Sequence, residues 1–214
     1  MTDVFRKSIL ILSLSVGALT GCAGGDGGQS EKHSTMTGLA MATKVCSTCH
    51  GVTGESTSPM FPKLAGQQKE YLTLQLTDFK GHVRSDEVGT QYMWGFTHLT
   101  DTQIDELADY FSRQSPMKAD TTTSNKRGEL IFRNGQPESG VIQCSSCHGA
   151  DAQGNGQFPR LAGQHANYLI RQIKVFQQTE QRPRGAVMKQ ITHSLSEADT
   201  VAVADYLAAL GSKK

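Results

Sequence analysis

The sequence predicts an all-α protein made of two tandem helical domains. Three observations predict it: an internal repeat of about 97 residues, apolar side chains at helical spacing in both copies, and no alternating apolar–polar run long enough for a strand. The chain has 214 residues, of which 37% are hydrophobic and only 7% aromatic, with a formal charge of +1. A near-neutral balance excludes the basic excess that nucleic-acid partners require. Two domains of under a hundred residues each have thin cores and call for a staple of some kind.

The first element is a targeting segment. Arg6 and Lys7 precede an apolar run, Ile9 to Leu19, that is too short to span a bilayer. Leu19-Thr20-Gly21-Cys22 resembles a lipobox, so residues 1–21 read as a lipoprotein signal peptide and Cys22 as the lipid-bearing N-terminus. Residues 22–36, rich in glycine at their start, read as a flexible tether. The expected location is the periplasm, with the lipid holding the protein to a membrane. Removing residues 1–21 leaves 193 residues with nineteen basic and nineteen acidic side chains.

The repeat defines the rest. Cys46-Ser-Thr-Cys49-His50-Gly51 recurs as Cys144-Ser-Ser-Cys147-His148-Gly149, and Phe61-Pro62-Lys-Leu-Ala-Gly-Gln67 as Phe158-Pro159-Arg-Leu-Ala-Gly-Gln164. Tyr71-Leu72 matches Tyr168-Leu169, and Asp109-Tyr110-Phe111 matches Asp205-Tyr206-Leu207. Domain 1 is assigned to residues 37–118, a polar threonine-rich linker to 119–125, and domain 2 to 126–214. Within the copies, 67–80 and 164–177 carry helical periodicity. Thr100 and Ser196 read as N-caps of the final helices, and Ile104, Leu107, Ala108 and Phe111 form one buried face.

Cys-x-x-Cys-His supplies the chemistry. Two thiols spaced by two residues can add to the two vinyl groups of one haem, and the next histidine can then ligate its iron. Two copies behind a secretion signal predict two covalent c-type haems, on Cys46, Cys49 and His50 and on Cys144, Cys147 and His148. A four-cysteine zinc site would need the pairs to converge from separate domains. A thioredoxin-like pair expects a βαβ setting, and disulfides leave the two histidines unexplained.

For the other axial position the repeat offers two matched pairs. Met93 corresponds to Met188, while His98 corresponds to His193, each histidine five residues after its methionine. The methionines are preferred, because a thioether opposite histidine raises the potential and suits electron transfer. Met60 would pair with Gln157 and Met117 falls at the linker, so neither has a methionine counterpart.

Together these blocks, with Leu107 to Phe111 and Val203 to Leu207, resemble the dihaem cytochrome c4 family of two tandem cytochrome c domains, over residues 37–211. The resemblance implies a carrier that shuttles electrons from a quinol-oxidising complex to a terminal oxidase or reductase. It also implies His50 and His148 as proximal ligands and Met93 and Met188 as distal ones. The carbonyls of Pro62 and Pro159 would accept a hydrogen bond from the proximal imidazoles. The lipobox, the tether and Trp94 depart from the family pattern.

Arg84 and Arg182, at near-equivalent positions, are candidates for the haem propionates or for solvated surface. Residues 37–118 hold seven basic and nine acidic residues, whereas 126–214 hold eleven and seven. Such a dipolar molecule would present different ends to different redox partners. The matched ligand pairs favour a carrier with no substrate chemistry of its own. The alternatives are a peroxidase-like or thiosulfate-oxidising dihaem enzyme, or an electron-transfer subunit of a larger membrane complex.

Overall fold

The computed structural model describes residues 35–96 and 98–211. The signal peptide, Cys22 and nearly all of the tether lie outside the described residues. Among the described residues there is no strand, only the isolated bridges Gln136–Val141 and Asn155–Phe158. No described helix is long and apolar enough to cross a membrane.

Domain 1 begins with a continuous helical stretch: α1 (Gly38–Met41), a π-helical turn (Ala42–Cys46) and α2 (Ser47–His50). It continues with α3 (Lys69–Lys80), α4 (Glu87–Met93), a 3-10 turn (Trp94–Phe96) and α5 (Asp101–Ser112). Domain 2 repeats the order as α6 (Lys126–Asn134), α7 (Ser145–His148), α8 (Ala166–Gln178), α9 (Ala186–Thr192) and α10 (Glu197–Ala209). The periodic segments begin two residues later than the sequence suggests, at Lys69 and Ala166.

The final helices start as expected. Thr100 and Gln103 form a reciprocal capping box on α5, and the Ser196 hydroxyl accepts from the Asp199 amide on α10. Each final helix packs on the first helix of its own domain, α5 on α1 and α10 on α6. These crossings are close. A Cβ on Gly128 would lie 1.9 Å from the carbonyl oxygen of Ala202, so only glycine lets the backbones meet. The cores match by repeat position: Leu72, Leu99, Ala108 and Phe111 in domain 1, Leu169, Leu195, Ala204 and Leu207 in domain 2.

The copies differ before the cysteine motif. In domain 1 the helix runs straight into Cys46, whereas α6 ends at Gly135 and a loop with a 3-10 turn (Pro137–Ser139) precedes Cys144. The methionine candidates also sit in helices, Met93 closing α4 and Met188 inside α9. Asp86 caps the start of α4 by accepting from the Gly89 amide, a start signal that periodicity does not show.

The domains meet across a pseudo-twofold seam. The Gln164 carboxamide accepts from the Lys63 amide and donates to the Lys63 carbonyl, both at 2.9 Å. Reciprocally, Gln67 accepts from the Arg160 amide at 2.6 Å and donates to its carbonyl at 3.0 Å. Gln68 donates to the Gln153 carbonyl, and at the equivalent place His165 Nε2 lies 2.9 Å from the Ser56 carbonyl. Equivalent residues thus exchange partners, as in a twofold dimer. Met117, expected near the linker, is fully buried beside Gln164.

Candidate functional site

Cys46, Cys49 and His50 stand at positions i, i+3 and i+4 of one helical run, so all three side chains share a face. Cys144, Cys147 and His148 do the same. Gly51 and Gly149 end the turns with φ of 77° and 84°, in the left-handed region that glycine enters without strain. Each histidine is buried, and its Nδ1 donates to a proline carbonyl, His50 to Pro62 at 2.8 Å and His148 to Pro159 at 3.0 Å. Phe61 and Phe158 meet the imidazoles edge-on at 6.2 and 6.3 Å.

That geometry fixes the tautomer. Burial lowers both imidazole pKa values, outweighing the opposite pull of the proline carbonyls, so each ring is neutral with its lone pair on Nε2. Burial pushes the Cys46 and Cys144 thiols up to about 11, which keeps them protonated at neutral pH. The four cysteines are not joined as disulfides. Among the described residues no three His, Cys, Asp or Glu side chains converge to hold an ion, so the zinc alternative has no geometry.

One largely apolar cavity runs through both domains and takes in both motifs. Leu72, Phe79, Phe96, Leu169, Phe176 and Ile191 are among its walls, with Met93 and Met188 on them. His98 and His193 are exposed and do not line it. The His193 ring nitrogens are bonded to the Gln190 carbonyl and the Ser194 hydroxyl. Met60 also reaches the cavity, at 41% exposure, but its counterpart Gln157 carries no thioether.

Neither Arg84 nor Arg182 is a freely solvated residue: Arg84 is buried and Arg182 half-buried. Arg84 is buried and bonded to Asp86, Gln75 and Gln172, while Arg182 bonds Gln172, Gln75 and Tyr71. Both line the cavity, with their donors already engaged by protein groups, and sequence reasoning passed over two further arginines there. Arg160 and Arg171 line the cavity, and the Nε of each is buried with no hydrogen-bond partner. Arg171 also donates through Nη2 to the Pro59 and Met60 carbonyls, but cationic side chains with an unsatisfied Nε beside an apolar cavity fit a ligand with carboxylates at its edge, as haem has in its propionates. Their only signal in the sequence was Arg160's place inside the repeated Phe-Pro-x-Leu-Ala-Gly-Gln block.

Comparison with known proteins agrees. The Cytochrome c family matches twice, over residues 36–115 and 126–211. Cytochrome c4 of Thiocapsa roseopersicina is 40% identical over 81% of this chain and 91% of its own length. This chain belongs to the dihaem cytochrome c4 family. A solved cytochrome c4 of Acidithiobacillus ferrooxidans superposes with a TM-score of 0.72 at 40% identity, covering 77% of this chain and 97% of that one. A thiosulfate dehydrogenase electron acceptor of Thiomonas intermedia is 34% identical over 77% of each chain. As a member of the cytochrome c4 family, the protein is a dihaem electron-transfer cytochrome with covalently attached c-type haems, which the two Cys-x-x-Cys-His motifs fit.

Proposed function

We propose that this cytochrome is a periplasmic electron carrier, held to a membrane by a lipid on Cys22, that passes electrons from a quinol-oxidising complex to a terminal oxidase or reductase. Cys46 and Cys49 would hold one haem and Cys144 and Cys147 the other, with His50 and Met93, and His148 and Met188, as the axial pairs. When bound, each haem supplies one-electron chemistry between the ferric and ferrous states. The chain's own work is to position and to insulate. Pro62 and Pro159 orient the imidazoles through Nδ1, the apolar walls exclude water, and Arg160 and Arg171 offset carboxylate charge.

One observation carries this reading: in both domains the neutral histidine and a methionine line the same cavity, while the rival histidines face away from it. With a histidine and a methionine holding each iron, no position would be left open for a substrate. The unequal charge of the domains supports separate docking of donor and acceptor. A second reading has the chain accept electrons from a thiosulfate-oxidising enzyme, and the similarity to such an acceptor supports it.

A redox titration of the purified holoprotein, followed by optical and EPR spectroscopy, tests the proposal. The expected result is two low-spin haems with a near-infrared methionine–iron band, unchanged by cyanide, peroxide or thiosulfate at low concentration. High-spin iron, or turnover of thiosulfate by the chain alone, would overturn it. Mass spectrometry of the mature N-terminus should find acyl chains on Cys22.

A further inference from the structure

The repeat makes each domain a control for the other, and the helices that carry the two methionines are secured differently. In domain 1, Asp86 caps the start of α4, and its carboxylate receives the Arg84 guanidinium at 2.6 Å. At the other end Met93 is followed by Trp94, whose indole N–H donates to the Arg84 carbonyl at 3.0 Å. One residue, Arg84, therefore grips both ends of the methionine-bearing helix. Arg84 is itself fixed, because Gln75 and Gln172 accept from its remaining nitrogens and its guanidinium lies over the Phe79 ring. His82 stacks on the Trp94 ring at 4.5 Å and closes the brace from outside.

Domain 2 keeps the fixed arginine, Arg182, bonded to Gln172 and Gln75 and lying over the Phe176 ring, but lacks both the carboxylate cap and the indole contact. Gly185 stands at the N-cap of α9, where α4 has Asp86, and the neighbouring Arg184 bonds Asp78 across the seam. No side chain caps α9. Lys189 follows Met188 where domain 1 has Trp94, and its ammonium pairs with Glu180 in an exposed contact. Exposed ion pairs are screened by salt and hold little, whereas a hydrogen bond to a buried, immobile residue is retained.

We propose that Trp94 is a positioning residue that locks Met93 in place through Arg84, and that domain 2, lacking the brace, holds Met188 as the more readily displaced ligand. The inference rests on the reading of Met93 and Met188 as axial ligands. Loss of the indole hydrogen bond should ease displacement of Met93 by about three- to tenfold, the worth of one net intramolecular bond.

The test is competition by imidazole on the ferric holoprotein carrying ¹³C-methyl methionine, read by the shifted methyl resonances and the near-infrared band. In the wild type the Met188 signal should disappear at lower imidazole than the Met93 signal. Trp94→Phe, which keeps an aromatic ring but no N–H, should lower the concentration needed at Met93 by about three- to tenfold and leave Met188 unmoved. Lys189→Ala should shift Met188 by less than about twofold. Displacement of Met93 first, or equal shifts at both haems in Trp94→Phe, overturns the proposal. Met93→Ala separates the two levels. If it removes no ligand resonance, the axial assignment itself fails. If it removes one and Trp94→Phe still changes nothing, only the positioning role fails.

Discussion

Gln164→Ala is the sharpest probe of the seam. The Gln164 carboxamide satisfies both backbone groups of Lys63, and the two residues are 3% and 5% exposed. Truncation strands a buried N–H and a buried C=O, and each unsatisfied group costs about 1–3 kcal/mol. Partial hydration through the space left behind places the sum at roughly 2–4 kcal/mol. The mirror substitution, Gln67→Ala, frees the backbone of Arg160, which is only half-buried, and should cost roughly 1–2 kcal/mol because water reaches the freed groups. Gln164→Met restores volume without polarity and should recover little. Urea unfolding of the holoproteins, followed by Soret absorbance and far-UV circular dichroism, gives all three values. A Gln164→Ala loss below about 0.5 kcal/mol, or a larger loss in Gln67→Ala, would refute the claim that paired carboxamides lock the domains.

Two further outcomes follow from single contacts. Gly128→Ala drives a methyl into the Ala202 carbonyl at 1.9 Å, so α6 and α10 must separate, at a cost of about 1–3 kcal/mol or more in thermal unfolding of domain 2. The Asp199 carboxyl is pulled down to about 2 by the Arg127 side chain, with Gln136 and Ser196 also donating to it. A carboxylate lowered in the folded state stabilises above its unfolded pKa, and that contribution disappears as pH falls from about 4 to about 2. Asp199→Asn should therefore lower stability at neutral pH and flatten this acid limb of the stability profile; an unchanged limb would sink the assignment.

Local chemistry was legible and long-range geometry was not. The haem motif is legible because its residues must share one helical turn, which ties the function to sequence spacing. The caps at Thr100 and Ser196 are legible for the same reason. Matching the copies also separated Met93 and Met188 from Met60, since a ligand needed twice must appear twice. What stayed hidden depends on residues far apart in sequence: Gln67 and Arg160, Arg84 and Gln172, Asp78 and Arg184. Nothing in a single helix pattern says that Arg84 points into a seam instead of solvent. The short helices α4 and α9 escaped because seven residues give too few turns for periodicity to register.

The repeat nevertheless held more of the seam than its motifs alone reveal. A duplicated chain can join its copies through the same patch only if that patch is self-complementary, and Gln67 and Gln164 meet this condition by bonding each other's Phe-Pro-x-Leu-Ala-Gly-Gln block. That demand constrains the block in both copies at once, which accounts for its near identity here. Positions outside the reciprocal contacts carry no such constraint, and there the copies diverge: Asp86 against Gly185 at the helix caps, and Trp94 against Lys189. Both divergences lie at the helices that carry the methionines. His165 also places Nδ1 2.7 Å from Asp120, tying the segment between the domains into the joint, a contact for which Gln68 has no counterpart. Symmetry thus holds the two halves together, and the departures from it are where the two methionine-bearing helices come to be secured differently.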